Sequence, residues 1–142
     1  MYKKTITYTD FDGNKRTEDH YFNLMQSELL DMQTSVQGGF YSLLQKIIAS
    51  QDQPALMKVF KEIIKKSYGI KSVDGRRFEK TEEIFAAFEQ SPAYSELYME
   101  LVTNDKAAAE FINGIIPADL AERVAAEQAK GNIPAITATN VE

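Results

Sequence analysis

The stretch YSELYMELVTNDKAAAEFINGIIP, residues 94–117, indicates two short helices in succession. In its first half, large apolar residues recur at the three- and four-residue spacings of a helix with one buried face. These residues are Tyr94, Leu97, Tyr98 and Leu101. Asn104 or Asp105 can cap the second helix, and Gly114 and Pro117 weaken and end it. The stretch contains packing residues and no catalytic motif.

Four segments upstream show the same helical periodicity. They run from Asn23 to the Gly38-Gly39 pair, from Tyr41 to Ser50, over residues 55–68, and from an N-cap at Thr81 to Gln90. Asn23 and Gln26 occupy capping-box positions in the first segment, and Gly69 is predicted to be the C-cap of the third. We expect a loop between Gly69 and Thr81, with a turn at Asp74-Gly75.

The N-terminal residues show the two-residue alternation of strands instead of a helical spacing. Residues 3–9 and 15–22 alternate between faces and are rich in β-branched and aromatic residues, which is typical of strands. Asp12-Gly13 lies between them and is a strong signal for a tight hairpin turn. An isolated two-stranded hairpin is marginally stable in water, so this hairpin must lie on helices or join another strand.

These patterns together predict a mainly α fold: a compact helical bundle of about five to seven helices with an N-terminal β-hairpin. The helical domain is predicted to span residues 1–117, with the hairpin in residues 1–22. Residues 118–142 are predicted to form a C-terminal helix, over residues 118–130, and a flexible tail.

Composition excludes several classes of function. The formal net charge of −5 argues against non-specific binding to nucleic acid, which depends on Lys and Arg. The chain has no cysteine, which removes disulfides and thiolate metal ligands and agrees with a cytoplasmic setting. We find no signal peptide at the start and no apolar run of membrane-spanning length. We therefore expect no nucleic-acid and no membrane partner.

No residue pattern indicates catalysis or metal binding. His20 is the only histidine, and no GxSxG motif accompanies it. The loop that starts at Asp10 superficially suggests a calcium site, but Lys15 and Tyr21 stand where an EF-hand needs Gly and Glu. Two carboxylate pairs fall on predicted solvent-exposed helix faces: Glu82 with Glu83, and Glu96 with Glu100. We therefore predict that the protein is not an enzyme and has no catalytic, metal or cofactor site.

The aromatic residues admit two interpretations. Most lie on helical stripes and are expected in the core, but some could line a groove that receives an amphipathic helix from another protein. The spacing of Phe85 and Phe88 fits both interpretations. The candidate partner-binding residues are Tyr94, Tyr98, Met99, Phe85 and Phe88.

Three blocks in order carry a family resemblance. They are YKKTITYTDFDGNKRTEDHYFNL (2–24), FKEIIKKSYGIKSVDGRRFEK (60–80) and AYSELYMELVTNDKAAAEFINGIIP (93–117). As a set they resemble tail assembly chaperones of long-tailed, siphovirus-like bacteriophages of Gram-positive hosts. Met25 departs from the Thr or Ser expected to cap the first helix in such proteins, and Asn23 is the substitute cap that we predict. Residues 118–142 lie outside the resemblance.

The resemblance implies a non-enzymatic assembly factor. Such chaperones bind the phage tape-measure protein, a long and often apolar helical chain, and keep it soluble until tail-tube subunits polymerise around it. In many such phages a longer form made by ribosomal frameshifting recruits the tail-tube protein. The expected location is the host cell cytoplasm and not the mature virion, and self-association is compatible with this role.

Two other classes of function stay open. The chain could be a minor structural component of the virion, such as a head–tail connector or decoration protein. It could also be a small enzyme or regulator, in which case substitution of His20 should impair function. The sequence favours the chaperone because it offers packing and docking residues and no reactive constellation.

Overall fold

A computed structural model describes residues 1–50 and 52–116. The elements in chain order are β1 (Tyr2–Thr9), β2 (Lys15–Phe22), α1 (Gln26–Thr34), α2 (Phe40–Ser50), α3 (Gln53–Ser67), β3 (Tyr68–Lys71), β4 (Phe78–Glu79), α4 (Glu82–Glu89), α5 (Pro92–Thr103) and α6 (Asp105–Ile115). The predicted C-terminal helix and tail, residues 118–142, lie outside the described residues.

The predicted N-terminal hairpin is confirmed. Strands β1 and β2 pair antiparallel along their full length. Gly13 has a φ of 86°, in the left-handed region that glycine adopts without steric cost. The carboxylate of Asp10 accepts hydrogen bonds from the backbone N–H groups of Asp12 and Asn14, both at 2.9 Å. The turn is therefore fixed by its own side chain, as is usual for Asp at such positions.

The predicted helical bundle is wrong, because the hairpin is half of a four-stranded antiparallel sheet of order β1-β2-β3-β4. The segment expected to be a loop supplies the other half. Gly69 pairs with Tyr21 and Tyr68 pairs with Phe22, while β4 pairs with β3. Strands β3 and β4 are four and two residues long, too short for alternation to be visible in the sequence. Their pairing depends on β2, which is distant along the chain.

The predicted C-cap at Gly69 is also wrong. Helix α3 ends at Ser67, its C-cap Tyr68 has extended backbone, and the chain passes directly into β3. Gly69 meets a different requirement. A Cβ built there would lie 2.7 Å from a ring carbon of Phe78 and 2.9 Å from the carbonyl oxygen of Glu79. The glycine permits close approach of β4 and not a left-handed turn.

The helices pack on one face of the sheet. Helices α5 and α6 contact β1, and α4 contacts β3. On β1, Ile6 is buried toward the helices, while Thr5 and Thr7 alternate to the exposed face. The exposed face is polar: Thr5 donates to Asp19 at 2.6 Å. Residues 1–50 and 52–116 therefore form a two-layer α+β domain with one hydrophobic core between the layers.

Two of the predicted helix caps are confirmed. The hydroxyl of Thr81 accepts from the N–H of Ile84 at 3.1 Å, and the side-chain oxygen of Asn104 accepts from the N–H of Ala107 at 3.0 Å. Each satisfies one of the N–H groups that the first turn of a helix leaves unpaired.

The predicted cap of α1 at Asn23 is wrong. The N-cap position is Met25, whose thioether is at most a weak acceptor. Only the reciprocal half of a capping box is strong: the carboxylate of Glu28 accepts from the N–H of Met25 at 2.8 Å. The N-cap of helix α1 is therefore Met25, the position at which the family resemblance led us to expect Thr or Ser.

Replacement of Met25 with Ser should raise the free energy of unfolding by about 1 kcal/mol, because Ser supplies the missing N-cap acceptor. Met25 is 55% exposed, so the loss of its side chain costs little burial. Urea denaturation measures the effect. Met99→Ser is the matched control, since Met99 is 53% exposed within α5, where Ser gains no cap. Equal effects of the two changes would contradict the capping explanation.

Candidate partner-binding groove

Helices α1, α2 and α3 border an open groove of about 460 Å³, here called the α1–α3 groove. Most of its lining side chains are apolar, and charged groups stand mainly on α3. The apolar lining comprises Met32, Val36, Phe40, Leu43, Ile47, Ala55 and Val59, and the polar lining comprises Ser35, Lys58, Glu62 and Lys66.

The groove forms because apolar residues lie on two faces of α3. One face buries Phe60, Ile63 and Ile64 in the core. The other presents Ala55 and Val59, one helical turn apart, to the groove. Helix α2 supplies the opposite wall with Phe40, Leu43 and Ile47 at spacings of three and four residues.

The floor of the groove is anchored in the core. Met32 is only 6% exposed, and it lines a small gap together with Phe40, Ile115 and Ile116. The upper side chains, such as Leu43, are only half-buried. The groove therefore combines a fixed base with apolar walls that the described residues leave accessible.

A second depression of about 290 Å³ extends the groove along α1. It shares Met32, Ser35 and Lys66 with the first and adds Glu28 and Asp31. The two depressions therefore form one continuous surface that crosses from α2 to the start of α1.

Lys80 holds the α1 side of this surface in place. Its ammonium donates to the carbonyl oxygens of Asn23 and Lys66, both at 2.8 Å, and to the carboxylate of Glu28 at 2.7 Å. Asn23 precedes α1, and Lys66 lies in the last turn of α3. One side chain therefore ties the start of α1 to the end of α3.

The structure gathers four of the five sequence-predicted partner-binding residues into one aromatic cluster. The ring of Tyr94 lies 6.1 Å from that of Phe85, 5.6 Å from that of Phe88 and 6.0 Å from that of Tyr98. Phe88 is 3% exposed and belongs to the core, whereas Met99 is 53% exposed. Burial raises the pKa of the Tyr94 hydroxyl. Partner binding by these five residues stays a prediction.

Sequence reasoning missed the α1–α3 groove as a site. One available signal was α2, whose sequence FYSLLQKIIAS carries more large apolar residues than one core-facing stripe requires. A second signal was the apolar residue Val59, which stands among the lysines of the outward face of α3. Neither signal says which apolar residues the tertiary structure leaves open.

His20 lies half-buried among aromatic rings. Its ring lies 5.0 Å from the ring of Phe88 and 6.2 Å from that of Tyr68. Burial lowers its pKa, because desolvation disfavours the charged imidazolium. The carboxylate of Glu18 lies 3.8 Å from Nε2, is 40% exposed, and already accepts a hydrogen bond from Tyr8.

Residues 1–50 and 52–116 contain neither a candidate metal-binding cluster nor a candidate membrane-spanning helix. No group of three or more His, Cys, Asp or Glu side chains in these ranges could hold a metal ion. No helix there combines the length and apolar character needed to cross a bilayer.

The geometry describes a small α+β domain with an open apolar groove and an aromatic cluster on α4 and α5. A family model described as phage tail assembly chaperone matches residues 1–141, nearly the whole chain. The protein therefore belongs to the phage tail assembly chaperone family, and the resemblance to phage chaperones is confirmed. The match also takes in residues 118–141, which our three sequence blocks did not cover. No curated protein matches the chain, and no solved structure does.

Proposed function

We propose that this chaperone binds the phage tape-measure protein and keeps it soluble during tail assembly, without enzymatic activity. Membership of the tail assembly chaperone family supports the general role. The resemblance described above points to the tape-measure protein as the client, because a long apolar helical chain needs a soluble carrier before the tube forms around it.

The α1–α3 groove is the observation that carries the proposal. An apolar channel between helices is the usual receptor for an amphipathic helix, whose apolar stripe it removes from water. The net charge of −5 favours dispersion of the loaded complex.

The chaperone acts, in this proposal, in the host cytoplasm and leaves before the virion is complete. Mass spectrometry of purified phage particles separates this role from that of a minor virion protein. Absence of the chain from particles fits the chaperone, whereas a stoichiometric copy number in particles would support a connector or decoration protein.

The proposal is tested by co-expression with the tape-measure protein of the same phage. We expect wild-type chaperone to move that protein into the soluble fraction and to co-purify with it. Leu43→Asp should reduce both effects strongly, because it places a charge on the apolar wall of the groove. Leu30→Asp is the matched control, since Leu30 is 62% exposed on α1 and does not line the groove.

Circular dichroism must show that both variants fold. Val36→Asp is a second groove variant that lies outside α2. If it also reduces binding, a structural defect confined to α2 cannot explain the loss. If wild-type chaperone neither solubilises nor co-purifies with the tape-measure protein, the proposed function is wrong.

A further inference from the structure

The wall that α3 contributes to the groove is basic, although the chain as a whole is acidic. The exposed positions of α3 include four lysines, Lys58, Lys61, Lys65 and Lys66. Glu62 is the only acidic residue of the helix. The local charge at this wall is therefore opposite in sign to the net charge of −5.

Two of these four lysines are already engaged. Lys66 pairs with Glu62 at 3.6 Å, one turn apart on the helix. Lys61 stands over the ring of Tyr98, 5.8 Å from its centroid. Lys58 and Lys65 are both exposed and have no ion pair with another described residue, but of the two only Lys58 lines the groove, beside Val59.

The depression that continues the groove along α1 carries an acidic residue. Asp31 on α1 is exposed and lines the depression that continues the groove. No ion pair joins its carboxylate to another side chain in the described ranges, whereas the neighbouring Glu28 is bound by Lys80 at 2.7 Å. The continuous surface formed by the groove and this depression thus presents an available cation on α3 and an available anion on α1.

We propose that the groove takes an amphipathic helix of defined charge pattern: acidic residues flank its apolar stripe on the side that meets α3, and basic residues flank it on the side that meets α1. Lys58 binds the acidic flank and Asp31 the basic flank. This inference rests on the proposed function, because the helix is taken to belong to the tape-measure protein.

The reason is electrostatic complementarity at the rim of an apolar contact. Burial of the stripe supplies affinity to any apolar helix, and the two rim charges select among such helices. A helix of reversed pattern would bring a cation to Lys58 and a carboxylate to Asp31, and like charges in contact disfavour that orientation. The tape-measure segments that the chaperone binds should therefore share this asymmetry.

The test uses overlapping synthetic peptides that cover the tape-measure protein of the same phage, titrated against the full chain at low ionic strength. We expect the tightest peptides to carry Glu or Asp beside the apolar stripe. Lys58→Glu should weaken them by about fivefold to tenfold, an effect that shrinks at high salt. Lys65→Glu, the same change on the same helix but outside the groove, should stay within about twofold of wild type.

A charge-swapped peptide completes the test. Replacement of the acidic flank by Lys should restore binding to Lys58→Glu while it weakens binding to wild type. Peptides that bind wild type and Lys58→Glu equally, or a swap that restores nothing, would overturn the charge pattern and leave the proposed function standing. Failure of wild type to bind any peptide or the intact tape-measure protein would instead remove the proposed function.

Discussion

Phe22→Ala should lower the free energy of unfolding by about 3–5 kcal/mol, the usual cost of truncating a fully buried aromatic ring. Phe22 is 0% exposed at the end of β2. Its ring lies 5.1 Å from that of Phe111 on α6, 5.5 Å from that of Tyr68 and 6.0 Å from that of Phe88 on α4. The variant leaves a cavity where the sheet and two helices meet.

Urea denaturation followed by circular dichroism measures this loss, which is a large part of the roughly 5–15 kcal/mol typical of a domain. Phe11→Ala is the matched control. Phe11 is 86% exposed beside the hairpin turn, so its truncation should change stability by no more than about 0.5 kcal/mol. Similar losses in the two variants would contradict a core centred on Phe22.

Lys80→Met should cost about 2 kcal/mol, since it removes three hydrogen bonds donated by one ammonium group. Met keeps much of the length of the side chain but cannot donate. The carbonyl oxygens of Asn23 and Lys66 and the carboxylate of Glu28 then depend on water. The value stays below that of a fully buried ion pair, because the Lys80 and Glu28 side chains are 21% and 32% exposed.

Lys71→Met is the control for Lys80. Lys71 lies on β3 and makes one long hydrogen bond, 3.4 Å to the carbonyl oxygen of Ser72, so its replacement should be nearly neutral. Thermal or urea unfolding of the two variants gives the comparison. A cost at Lys80 no larger than that at Lys71 would show that the three bonds do not hold α1 against α3.

The sequence was sufficient to predict the features that depend on residues close together in the chain. The Asp12-Gly13 turn and the alternation of its flanking residues predicted the hairpin. Thr81 and Asn104 predicted two helix starts, because an N-cap acts on N–H groups within its own first turn. Each of these features depends on residues that are neighbours along the chain.

The sequence was insufficient to predict the features that depend on residues far apart in the chain. Tyr68 and Gly69 form a strand because β2 offers Phe22 and Tyr21 as partners, and no local pattern records that pairing. Gly69 was mistaken for a helix cap because a glycine after a helix usually serves the left-handed turn. Here it makes room for the ring of Phe78, a contact that exists only after the strands pair.

The candidate site shows the same division. The spacing of Phe88 fitted both a partner surface and the core, and the structure buries this residue, with its ring stacked 4.2 Å from that of Tyr68. Leu43 and Val59 line the groove, although nothing in their helical spacing shows that they stay accessible. Periodicity identifies an apolar face, but whether that face is covered depends on which helices are placed beside it.

Hydrogen exchange of the chaperone alone and in complex with the tape-measure protein tests the central claim most directly. We predict slowed exchange in α1, α2 and α3, over residues 26–34, 40–50 and 53–67, with little change in α5, and loss of that protection in Leu43→Asp. Protection confined to α4 and α5 around Tyr94, Tyr98 and Met99, with α1 to α3 unchanged, would contradict the groove as the binding surface.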